Sequence, residues 1–238
     1  MKNSILTLLM LHSILYVQSQ SVRTTFGLQY KPIIPTKYFN SDYINKSVTN
    51  YNFNLSPRYS NAFGMVIRHK INNTFSIESG INYIQRNYKL SVNFNSENIN
   101  DFTDFGMRAY EVPLQLLTYV RASKFWYLNV SFGISHNILA SDILSTGQET
   151  NFFFQNTYRR SEWYSALLAN IGMEYRTEDK GRYYIGTSLH LPWKEISRVY
   201  PEYNDDVNTF NDEDFNDKFF LELPGNFLTL DLRYFFKP

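Results

Sequence analysis

Apolar and polar side chains alternate with period two over most of this chain. That is the repeat of a β-strand whose two faces meet different surroundings. The pattern is clearest at 226–238, where Leu228, Leu230, Leu232, Tyr234 and Phe236 share one face and Thr229, Asp231 and Arg233 the other. Seven further strands are predicted near 22–31, 59–70, 74–93, 106–121, 125–139, 162–176 and 182–191. Phe63, Met65 and Ile67 face out of the second, and Trp126, Leu128, Val130, Phe132 and Ile134 out of the fifth. Apolar residues out, charges in and aromatics at strand ends suit a barrel wall between lipid and a polar interior.

The connections alternate in length. Long segments at about 32–57, 94–105, 140–160 and 192–224 are separated by tight turns at 71–74, 122–124 and 177–181. In outer-membrane barrels short turns face the periplasm and long loops face outside. The expectation is an all-β fold: an eight-stranded antiparallel transmembrane β-barrel, an up-and-down meander in a bacterial outer membrane. Its termini are expected in the periplasm and its long loops outside the cell. A secreted soluble barrel or sandwich is the alternative. It would need an apolar buried face, whereas the inner faces here carry charge.

Composition adds compartment. Lys2 precedes a short apolar run, and Val17-Gln18-Ser19 then resembles a small-residue cleavage site. This predicts a signal peptide over 1–19 and a barrel over 20–238. The run is too short for a spanning helix, which needs roughly 20 residues. The chain has no cysteine, so packing and backbone pairing must stabilise it. Its net charge of +1 gives no bulk electrostatic case for nucleic acid. Aromatics reach 18%, with 19 Tyr and 20 Phe, which fits interfacial girdles. Mean hydropathy is −0.37, uninformative for an alternating wall.

Several runs resemble the PorT-like family of small outer-membrane β-barrels. They are Phe63-Gly64-Met65 leading to Gly80-Ile81-Asn82-Tyr83, the run Tyr110-Glu111-Val112-Pro113-Leu114-Gln115-Leu116-Leu117, and then Phe125-Trp126-Tyr127-Leu128 with Phe132-Gly133. The resemblance covers most of the mature chain in order, and its motifs are structural. The family includes an accessory protein of type IX secretion. The resemblance therefore implies a non-catalytic accessory or scaffold subunit of a secretion or barrel-assembly machine. Its expected partners are outer-membrane lipid and other outer-membrane proteins or lipoproteins. The long fourth loop and Lys237-Pro238 after the last aromatic depart from the family pattern.

An eight-stranded barrel is just wide enough for side chains to fill it. The inward charges expected to fill this one are Arg68, Glu78, Arg86, Glu111, Arg121, Glu174, Arg176, Asp231 and Arg233. Buried charges of opposite sign on neighbouring strands must pair. The fourth loop is a candidate partner-binding segment, with Asp205, Asp206, Phe210, Asp212, Glu213, Asp214 and Phe215. Its interleaved aromatics Tyr200, Tyr203, Phe210, Phe215, Phe219 and Phe220 suggest packing against a partner or the barrel mouth. Its carboxylates do not have the spacing of a calcium loop. No metal or cofactor is expected.

Two further roles stay open beside the scaffold reading. One is a stand-alone surface barrel binding ligands or partners through its loops. The other is a lipid-modifying barrel enzyme, with Ser188 or Ser135 as nucleophile and His190 as base. His136 is expected on the lipid face, and the chain is expected not to be an enzyme.

Overall fold

The computed structural model describes residues 24–37, 43–94, 99–207, 209–214 and 216–237. The predicted signal peptide and Phe215 lie outside the described residues. Among these residues there are fifteen strands and no helix. Eight of the strands form a ring: β1 (Thr24–Ile34), β4 (Ser60–Lys70), β5 (Phe75–Phe94), β6 (Ile99–Arg121), β7 (Trp126–Leu139), β10 (Trp163–Arg176), β11 (Arg182–Pro192) and β15 (Phe227–Phe235). Each is antiparallel to its neighbours, and Gln29↔Arg233 and Tyr30↔Leu232 join first strand to last. These are the eight strands predicted from the alternation.

The ring is not evenly laced. The β1–β15 ladder skips from Tyr30↔Leu232 to Ile33↔Thr229, and the β5–β6 ladder from Ser79↔Leu114 to Asn82↔Glu111. Each gap contains a proline, Pro32 and Pro113 respectively, which has no N–H to give the ladder. At the second gap the Ser79 hydroxyl donates to the Pro113 carbonyl at 2.8 Å.

The expectation of a plain meander with open loops needs correction. The segment 32–57 holds β2 (Ile44–Val48) and β3 (Tyr51–Pro57), and 140–160 holds β8 (Ile143–Thr146) and β9 (Phe153–Arg159). The segment 192–224 holds β12 (Ser197–Asn204), β13 (Thr209–Phe210) and β14 (Leu221–Leu223). Most of 94–105 is strand: β5 and β6 stay paired as far as Phe94↔Ile99. β3 extends the sheet beside upper β5, with Tyr51↔Phe94 and Leu55↔Leu90, and β2 lies outside β3. β8, β9, β12 and β13 form a second sheet, with β14 on β12. Together these strands form a cap on the long-loop end of the ring.

Polarity inverts along β5. In its first half Phe75, Ile77 and Ile81 are exposed outside, while Ser76, Glu78 and Asn82 are buried inside. In its last turns Tyr88, Leu90, Val92 and Phe94 are buried inside, and Lys89, Ser91 and Asn93 face out. β6 does the same: Tyr110, Val112, Leu114 and Leu116 are exposed outside opposite buried Glu111 and Gln115, but nearer the cap Phe105 and Met107 point inward. One strand face cannot be apolar outward and then polar outward in a uniform solvent without cost, because apolar area is favoured away from water.

The buried side of the upper region is the molecule's apolar core. Phe53, Leu55, Leu90, Val92, Phe153, Val199, Tyr203, Leu221 and Leu223 pack there between the two sheets of the cap.

Candidate functional site

Within the ring the alternation places polar side chains from opposite walls close enough to touch. Arg176 and Glu174 come from β10, Arg68 from β4, Glu78 from β5, Arg233 and Asp231 from β15, and Lys31 from β1. They form one chain of alternating sign. Arg176 Nε donates to Glu174 Oε1 at 2.6 Å, and Arg68 Nη1 donates to Glu174 Oε2. Arg68 Nε and Nη2 then reach Glu78 Oε2 at 2.9 and 2.8 Å. Arg233 Nη1 donates to Glu78 Oε1 and Arg233 Nη2 to Asp231 Oδ2. Lys31 Nζ ends the chain 3.7 Å from Asp231 Oδ2.

Neutral groups and rings meet part of the remaining capacity, while Arg233 Nε is buried without a hydrogen-bond partner. Asp231 also accepts from Ser188 Oγ at 2.6 Å, Asn170 Nδ2 at 3.1 Å and Thr229 Oγ1 at 2.5 Å. The Arg68 guanidinium lies 3.7 Å from the centre of the Phe235 ring, and that of Arg176 lies 3.7 Å from Tyr127. Such stacking suits arginine, whose planar cation is weakly hydrated. Gly172 pairs with Gly186 across β10 and β11, and a Cβ on either would meet the Tyr184 hydroxyl, so these two positions have room only for glycine.

Closer to the cap lies a second polar group. Gln29 Nε2 donates to Asn82 Oδ1 at 2.5 Å, and Asn82 Nδ2 to Glu111 Oε2 at 2.7 Å. His190 Nε2 is 3.6 Å from Glu111 Oε1 and 3.4 Å from Ser135 Oγ. Its ring stacks on Phe227 at 4.3 Å. Arg86 Nη1 donates to the Gly225 carbonyl at 2.7 Å, and Gly225 holds a positive φ of 81° that favours glycine.

Thus Arg68, Glu78, Glu174, Arg176, Asp231 and Arg233 are brought into one chain, while Glu111 and Arg86 sit above it. Arg121 is a correction. As the last residue of β6 it reaches solvent, with Nε on the Ser123 carbonyl at 3.0 Å. Tyr119, two residues earlier, takes the inward position beside Glu174. Lys31, and the Asp231 partners Ser188, Asn170 and Thr229, were missing from the expected lumen set. Their inward phase is legible, but pairing with Asp231 depends on β1 closing against β15.

The serine–histidine expectation also changes. Ser188 is bound to Asp231 and Asn170, so the hydroxyl near His190 is that of Ser135. Both Ser135 and Glu111 face the same nitrogen, Nε2, whereas a relay needs a base oriented through its other nitrogen. His136 is exposed on the outer wall against Trp163.

In the fourth loop the aromatics turn inward. Phe210 is 4.9 Å from Tyr51 and 5.1 Å from Phe53, and Phe219 is 5.4 Å from Phe53. Tyr200 and Tyr203 are buried. Asp206, Asp212, Glu213 and Asp214 remain exposed, and Asp205 is half-buried beside the Tyr203 hydroxyl. The described rings of the loop that make these contacts pack into the core of the cap.

The described molecule is therefore an antiparallel β-ring with an apolar exterior around its lower part, a polar interior filled by side chains and a folded β-cap. No protein-family model matches the chain, and no curated sequence matches it. Among solved structures it is similar to the outer membrane protein OprG from Pseudomonas aeruginosa. The identity is 8% and the TM-score 0.48, over 90% of this chain and 95% of that one. It is also similar to the outer membrane protease OmpT from Escherichia coli. There the identity is 10% and the TM-score 0.42, over 92% of this chain and 99% of that one. Likenesses this distant leave the function to rest on the chain's own faces and contacts.

Proposed function

We propose that this chain is a bacterial outer-membrane β-barrel that neither conducts nor catalyses, and that it serves as an accessory or scaffold subunit of a larger outer-membrane assembly. The observation that carries the membrane part is the polarity inversion along β5 and β6. A lipid layer around the lower ring and water around the cap account for both halves of each strand. The short-turn end, with both chain ends of the ring, then faces the periplasm. The filled lumen supports a role without conduction, because Arg68 spans from β4 to Glu174 on β10 where a channel would run. The cap supports a scaffold role: it is a folded β-structure with its own apolar core at the long-loop end of the ring.

The test is purification of a tagged copy from its native outer membrane in mild detergent, with mass spectrometry of what accompanies it. Stoichiometric companions are expected. A lone heat-modifiable barrel would sink the accessory role, and an altered lipid A profile on expression would move the reading to a lipid-modifying enzyme.

A further inference from the structure

The outer face of the upper sheet, formed by β2, β3, β5 and β6, has a composition that strand formation alone does not favour. Asn45, Asn52, Asn54, Ser91, Asn93 and Asn100 all project from it, and asparagine is depleted in strands. The register aligns these residues in rows across four strands. Ser47, Asn52, Asn93 and Asn100 form one row, and Asn45, Asn54, Ser91 and Phe102 the next. An open groove of about 740 Å³ lies over this face, and its lining also includes Glu149. That volume lies within the range of small-ligand sites, roughly 300–1,000 Å³.

The amides are held in place. Asn54 Nδ2 donates to Asn45 Oδ1 at 2.5 Å, and Asn93 Nδ2 donates to Asn100 Oδ1. An amide has two N–H donors and two acceptor lone pairs, so one such bond fixes its orientation and leaves capacity of both kinds. A donor and an acceptor side by side match the adjacent hydroxyls of a sugar, each of which both gives and accepts a hydrogen bond. Lys89 Nζ lies 3.6 Å from the centre of the Phe102 ring, so the groove meets a polar edge better than an apolar one. Lys89 on this face is offset by Glu149 in the groove lining, which leaves no single-sign field to select phosphate or nucleic acid.

We propose that this groove binds a saccharide through its asparagine amides. This goes beyond the scaffold reading and stands or falls apart from it. The sugar could belong to lipopolysaccharide of the same membrane or to a free glycan. The test therefore has two arms, both using the full barrel purified in detergent or placed in vesicles. In one arm, dextran, yeast mannan and lipid-free O-polysaccharide are titrated by calorimetry. In the other, the protein is presented to vesicles with and without smooth lipopolysaccharide.

Saturable binding is expected in at least one arm. The double variant Asn54→Ala, Asn93→Ala should weaken it about tenfold or more, the loss of one to two hydrogen bonds. Binding to soluble polysaccharide identifies a free glycan, and binding confined to lipopolysaccharide vesicles identifies the membrane's own sugar. Ser91→Trp, which puts a bulky ring between Asn54 and Phe102 in the middle of the groove and leaves the amides in place, should weaken binding as well. It keeps the test decisive if the double variant misfolds. Absence of binding to every probe overturns the proposal, and so does binding that both variants leave unchanged.

Discussion

Arg68 and Glu174 sit on strands that stand opposite one another in the ring, β4 and β10, four strands apart in either direction, and their side chains meet in the middle. Both are almost fully buried. Removing one member of such a pair strands the other charge in a site of low polarisability. Glu174→Ala should therefore destabilise the barrel by about 3–5 kcal/mol. A urea titration of the heat-modifiable form in vesicles measures this. Arg68→Met with Glu174→Met should recover part of the loss, because the charges leave together and Glu78 keeps Arg233. A loss below about 1 kcal/mol for Glu174→Ala would mean the pair is solvated, as exposed pairs are.

Asp231 and Glu111 should differ in their cost. Asp231 holds Lys31 and Arg233 and accepts from Ser188, Asn170 and Thr229. Glu111 accepts from Asn82 and faces His190. Asp231→Ala leaves Lys31 without its carboxylate, removes one of the two carboxylates of Arg233 and takes the acceptor from the Ser188 hydroxyl, so it should cost more than Glu111→Ala, each unmatched donor adding about 1–3 kcal/mol. Neither should open a selective path, since the chain from Arg176 to Glu78 remains. Planar-bilayer recordings check this, and a new ion-selective current from either variant would contradict the filled lumen.

The cap should come apart without the ring. Phe53 is only 2% exposed, and it packs against Tyr51, Phe210 and Phe219. Truncating a buried Phe typically costs about 3–5 kcal/mol. Phe53→Ala should thus make 197–223 sensitive to protease added outside proteoliposomes, while the ring keeps its heat-modifiable mobility. Simultaneous loss of both would show that cap and ring fold as one unit.

The eight ring strands were legible because each carries a run of alternation with one phase, as in Trp126 to Ile138. The cap strands were not, and 94–105 shows why. Past Gln85 the apolar residues of β5 continue at every second position, but as Tyr88, Leu90, Val92 and Phe94 they occupy the inward phase. A reading keyed to apolar-outward residues takes that change of phase as a strand ending. The same inversion makes β3 look polar from outside, though Tyr51, Phe53 and Leu55 are buried. In the lumen, the inward phase identified most of the charges. Their connections arise from strands far apart in sequence, as with Glu78 and Arg233, and no local pattern encodes them. Arg121 fails for a local reason: at a strand end, phase no longer decides what a long side chain reaches.

Phe132 gives the sharpest separation of a membrane wall from a soluble one. It projects outward from the middle of β7 and is 62% exposed, between the inward-facing Ser131 and Gly133. In water an exposed Phe→Arg change falls within about 0.5 kcal/mol of neutral. On the lipid face of a barrel near the midplane it costs about 2–4 kcal/mol. Phe132→Arg should therefore lower the stability in vesicles by that amount, while Asn93→Arg, outward on the same sheet but above the inversion, should leave it unchanged. The comparison uses one denaturant titration for both variants, so errors in the reference state largely cancel. Equal and small effects would place the whole outer surface in water, and the outer-membrane reading would fail with them.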